Sequence, residues 1–116
     1  MDFIIVINPA NGPGAAPTPD ANYCREIARL NAYPNVRTVG YVPVDYGRKP
    51  IETSFDSIAK YVQWGNEDPR LAMQGIFLDE SPQLADDHNS TYLERVRQNI
   101  KSQKGLAQGL IGRFPV

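Results

Sequence analysis

The chain opens with a short, unbroken apolar run, Phe3 to Ile7, rich in β-branched residues and stopped by Asn8-Pro9. That pattern predicts a strand buried on both faces, as in parallel sheets. After the Gly- and Pro-rich loop 8–17, a helix is expected. Thr18 is placed to cap it, Pro19 fits the first turn, Asp20 suits the positive end, and Tyr23, Ile27 and Leu30 form one stripe. Pro34 closes it. Val36 to Val44 predicts a second strand that leaves through Pro43 and Tyr46-Gly47. From Pro50 the apolar period is helical again, with Ile51, Phe55, Ile58 and Val62 on one face and Gly65 toward the end. Gly75 to Leu78 predicts a third buried strand running into Asp79-Glu80. A third helix is expected from Asn89 or Ser90, with Leu93, Val96 and Ile100 inward and Glu94, Arg95, Arg97 and Lys101 outward.

This β-α-β-α-β-α order predicts an α/β fold with parallel pairing through right-handed crossovers. A doubly wound sheet and part of a β/α barrel both satisfy it. Residues 1–101 are expected to form one domain. The glycine-punctuated stretch 102–116 shows neither strand alternation nor a helical stripe, so an atypical tail without regular order is expected there.

Charge narrows the function classes. With 12 basic and 13 acidic residues, a net charge of -1 supplies no basic field for nucleic acid or an anionic membrane surface. No apolar run approaches the roughly 20 residues that span a bilayer, and no secretory signal follows Met1. The single cysteine, Cys24, excludes an internal disulfide and reads as a small apolar helix residue. No cofactor is implied.

In parallel β/α folds, chemistry collects at the C-terminal ends of strands. Those positions here are Asn8, the Tyr41 to Tyr46 region, and Asp79-Glu80. Two acids leaving a buried strand carry a desolvation cost unless the charge is used. A glycosidase needs two carboxyl groups about 5 to 9.5 Å apart. Adjacent strand residues face opposite ways, so Asp79 and Glu80 share one cleft only if the strand ends between them, or if one supports the other. Tyr41 and Tyr46 are candidates to stack on sugar rings, whereas Trp64 reads as core. The segment "NPANGPG" lacks the lysine and hydroxyl of a phosphate loop and reads as a tight turn. His88 has no partner at metal-ligand spacing, so no metal site is expected. Asn89-Ser90-Thr91 is a glycosylation sequon in a secreted protein and equally a helix start.

Four segments together carry a family resemblance: "FIIVINPANGPG", "NYCREIARLNAYPNVRTVGYVPVDYGRKPI", "IAKYVQW" and "GIFLDE". In this order and spacing the chain resembles the spherulin-4-like proteins, secreted or cell-surface proteins of fungi and slime moulds. The resemblance implies an eight-stranded β/α barrel of the glycoside hydrolase type, acting on amino-sugar-containing, galactosamine-rich polysaccharide. It also implies that Asp79 and Glu80 are the family's acidic pair and that Asn8 and Tyr41 line the cleft. Family members carry a preceding βα unit, about four later strands and a further glutamate on one of them; no counterpart follows Ile100. A whole barrel takes roughly 250 residues, so the chain is expected to be a truncated member with about three βα units. The reading from another class is a non-catalytic cell-surface protein that holds sugar without cleaving it. A nucleotide- or phosphate-binding α/β protein is the third.

Overall fold

A computed structural model describes residues 2–44, 48–81, 87–103 and 110–115. The order is β1 (Phe3–Ile7), α1 (Ala21–Asn31), β2 (Val36–Pro43), α2 (Ile51–Glu67), a 3₁₀ turn (Pro69–Leu71), β3 (Gly75–Ser81), α3 (Asp87–Ser102) and β4 (Leu110–Pro115). Among the described residues the strands form one parallel sheet in the order β1-β2-β3-β4.

Two features decide between the architectures that the alternation left open. The strand order never reverses, as a doubly wound sheet requires. One apolar cluster also holds Ile27 of α1, Ile58 and Trp64 of α2, Val96 and Ile100 of α3, and the strand residues Ile7, Val42, Ile76 and Leu78. All three helices therefore cover the same face of the sheet. A singly wound parallel sheet with helices on one side is a segment of a β/α barrel.

Several boundaries differ from the expectation. Helix α1 starts after Asp20, not Thr18, because the Asp20 carboxylate accepts from the Tyr23 N–H at 2.9 Å, satisfying one of the first-turn donors. Cys24 is half-buried against the core, its thiol donating to the Pro19 carbonyl at 3.3 Å. Helix α2 runs through Gly65 to Glu67. Trp64 is fully buried, edge-on to Tyr61 with ring centroids 4.8 Å apart.

Strand β3 continues three residues past Leu78, so Asp79 and Glu80 lie within it. The ladder persists because Asp79 pairs with Pro43 on one side and Phe114 on the other. The stretch expected to form a tail without regular order carries β4 instead. Leu110 to Pro115 adds to the β3 edge, whose backbone groups would otherwise lack partners.

The expectation for β1 is also corrected. Phe3, Ile4 and Val6 remain 46%, 65% and 41% exposed. Among the described residues β1 is an edge strand with helices on one side only, so its alternation buries Ile7 while Ile4 and Val6 face away from the core.

Candidate active site at the ends of strands two and three

Alternation along β2 sends Thr38, Gly40 and Val42 toward the helices and Val39, Tyr41 and Pro43 to the opposite face. On β3, Phe77 and Asp79 share that helix-free face, since Ile76 and Leu78 are in the core. Parallel register sets Tyr41 beside Phe77 and Pro43 beside Asp79. Tyr41 thus lies diagonal to Asp79, and its hydroxyl donates to Asp79 Oδ2 at 2.5 Å. The Tyr41 and Phe77 rings stack, with centroids 6.3 Å apart and planes at 20°. The result is a half-buried carboxylate oriented by a phenol at the C-terminal end of two neighbouring strands.

Below the pair lies a fastening that the sequence reading missed. Tyr61 of α2 is fully buried and lays its ring on the helix-covered face of the sheet at Gly40. Its hydroxyl donates to the Tyr41 carbonyl at 2.8 Å, with the Ile7 carbonyl 3.3 Å away. Gly40 is the notch for the ring, because a Cβ there would lie 2.7 Å from the Tyr61 ring carbons. Burial pushes the Tyr61 phenol well above its ordinary range, so the group remains a neutral donor. Only its position three residues after Ile58 hinted at an inward Tyr61.

Asn8 follows β1 at the same end of the sheet. Its side-chain oxygen accepts from the Gly12 N–H at 2.8 Å, and the Ala10 N–H donates to the Gly12 carbonyl at 3.1 Å. Asn11 at φ 53°, with Gly12 and Gly14 at positive φ, supplies the left-handed backbone of the turn. The loop therefore spends amides on itself, in keeping with a tight turn. Lys60 of α2 anchors it by donating to the Gly14 and Ala15 carbonyls at 2.9 and 3.2 Å.

The structure thus brings Tyr41 and Asp79 together and sets Asn8 in the adjoining loop, bonded to its own turn. Tyr46, and the side chains of Glu80 and His88, lie outside the described residues. The backbone bears on Glu80 in one respect: between Asp79 and Ser81 the register to β4 shifts, two steps on β3 matching one on β4. Such a bulge interrupts strict alternation at the end of a strand. Among the described residues no group of three His, Cys, Asp or Glu could hold a metal, and no helix is long and apolar enough to cross a membrane.

Comparison with known proteins places the chain as a whole. A search of curated proteins finds no match. The crystal structure of Aspergillus clavatus Sph3 in complex with GalNAc superposes with a TM-score of 0.92 at 37% identity, over 97% of this chain and 46% of that one. The chain therefore spans just under half the length of that structure. The family model for spherulation-specific family 4 matches residues 1–112. With the barrel topology, the strand-end acid and a family match over nearly its whole length, the chain belongs to spherulation-specific family 4.

Proposed function

We propose that this chain supplies part of the active site of a glycoside hydrolase that cleaves amino-sugar-containing, galactosamine-rich polysaccharide by carboxylate acid/base chemistry. The observation that carries the reading is the Tyr41–Asp79 hydrogen bond on the helix-free face at the strand ends, where β/α barrels hold their catalytic groups. Kinship with Sph3, whose crystal structure contains GalNAc, supports an amino sugar as ligand.

In this reading one carboxyl group protonates the glycosidic oxygen while a second, across the bond, serves as nucleophile or activates water. Asp79 and Glu80 are the candidate pair. Tyr41 holds the Asp79 carboxylate in one orientation, and Asn8, Tyr41 and Tyr46 are proposed to contact the sugar. A secreted or cell-surface location goes with this proposal through the family.

Because the chain spans just under half of the Sph3 chain, the test uses a complete barrel: a chimera in which residues 1–112 replace the matching segment of Sph3. Asp79→Asn should lower release of reducing ends by about 10²- to 10⁴-fold, the usual contribution of a positioned acid or base. A chimera that binds galactosamine polymer but never cleaves it would favour the non-catalytic, sugar-holding alternative.

A further inference from the structure

A polar recess lies on the helix side of the same rim. It has a volume of about 210 Å³ and is bounded by the turn Ala10 to Gly14 and by Thr53, Asp56, Ser57 and Lys60 of α2. The spacing of those four side chains puts them on a single helix face. The turn forms the opposite wall and is fastened across the recess by Lys60.

The chemistry of the walls restricts what fits. Lys60 carries three N–H donors, and two meet the Gly14 and Ala15 carbonyls, leaving one for a ligand acceptor. Ser57 and Thr53 add hydroxyls that donate or accept. The Asp56 carboxylate has no hydrogen-bond or ion-pair partner among the described residues. Asp56 offsets the Lys60 charge and the Gly12 amide already bonds Asn8, so the recess offers an anion no net positive field. A volume below the roughly 300 to 1,000 Å³ of drug-sized sites suits a single small ring. A ring that turns hydroxyls toward Lys60, Ser57 and Thr53 and a positive charge toward Asp56 matches the walls.

We infer that this recess is a separate subsite for one unacetylated amino-sugar unit. The sugar ammonium pairs with Asp56, and its hydroxyls meet Lys60, Ser57 and Thr53. The inference rests on the polysaccharide reading for its ligand class but not on Asp79 or on catalysis. Such a subsite would hold a polymer away from the strand ends and favour stretches bearing free amines over acetylated ones.

The test is ligand-observed saturation-transfer NMR on the 116-residue chain, which tolerates self-association, with galactosamine and N-acetylgalactosamine as probes. Galactosamine should bind, and its affinity should fall at high salt, as an exposed ion pair requires. Asp56→Asn should weaken galactosamine about fivefold or more, in line with a charge-assisted hydrogen bond, and leave N-acetylgalactosamine unchanged. Asp56 is exposed, so the variant should fold, which circular dichroism checks. Unchanged galactosamine affinity in Asp56→Asn, or no galactosamine binding to the wild type, overturns the subsite. Loss in Asp79→Asn but not in Asp56→Asn would put the sugar at the strand-end site, overturning the subsite while supporting the proposed function. Loss confined to Asp56→Asn, together with a chimera that neither cleaves nor binds polymer, would do the reverse.

Discussion

Tyr61 and Gly40 act as one unit. The ring occupies space that only a residue without a Cβ leaves open, and the hydroxyl then meets the carbonyl of Tyr41, whose own side chain orients Asp79. Tyr61→Phe keeps the ring and leaves a buried acceptor with a weaker set of partners. A loss of about 1 to 2 kcal/mol is expected, read as a lower urea midpoint at constant slope. Gly40→Ala should cost about 1 to 3 kcal/mol through overpacking, and pairing it with Tyr61→Leu should recover part of that loss. The pH dependence follows from the raised Tyr61 phenol. A group held neutral in the fold contributes stability that is complete below its unfolded value of 10.0 and is lost as pH rises past it toward the folded value. Wild-type stability should therefore decline above pH 10 more steeply than that of Tyr61→Phe, measured by denaturant titration across that range.

Elements are joined by polar contacts as well as by the apolar cluster. Asn31, the last residue of α1, donates to the Arg70 and Ala72 carbonyls at 2.8 and 3.1 Å and accepts from the buried Thr38 hydroxyl at 2.7 Å. One side chain thereby ties α1 to β2 and to the turn that enters β3. Asn31→Ala should cost about 2 kcal/mol by stranding several groups at once. Native-state hydrogen exchange should quicken most at the start of β3. Between α2 and α3 the Ser54 and Tyr92 hydroxyls share a buried hydrogen bond of 2.8 Å. Helix α2 is the hub: its inner face carries Ile58, Tyr61 and Trp64, while Lys60 anchors the first loop. The apolar stripe was legible because 3.6-residue periodicity is a local property. Asn31, Ser54 and Lys60 were not, since polar residues at a helix surface look alike until a partner from another element arrives.

On the scale of the whole 116-residue chain, the sheet of the described residues has two edges. Among the described residues β1 and β4 each have a neighbouring strand on one side only, and Phe3, Ile4 and Val6 add exposed apolar surface beside one edge. Such an edge is a template for pairing with another chain. The 116-residue polypeptide should therefore self-associate with concentration in sedimentation velocity. Ile4→Lys, which places a charge on that edge strand, should shift it toward monomer. A monomer with a sharp, cooperative thermal transition would count against this view.

The sequence by itself determined the βα alternation, the apolar face of each helix and the position of Asp79, because these depend on residues near one another in the chain. The segments carrying the family resemblance did the same for kinship, and the match over residues 1–112 agrees. Only tertiary structure decided that all helices share one face, that β1 is exposed and that residues 110–115 close against β3, since each depends on what packs from outside the segment. It also set the Tyr41 hydroxyl on Asp79, which lies 38 residues away in sequence. Local pattern assigns a side chain to a face of its strand, but the register between strands chooses its neighbour, and that register is a property of the assembled sheet.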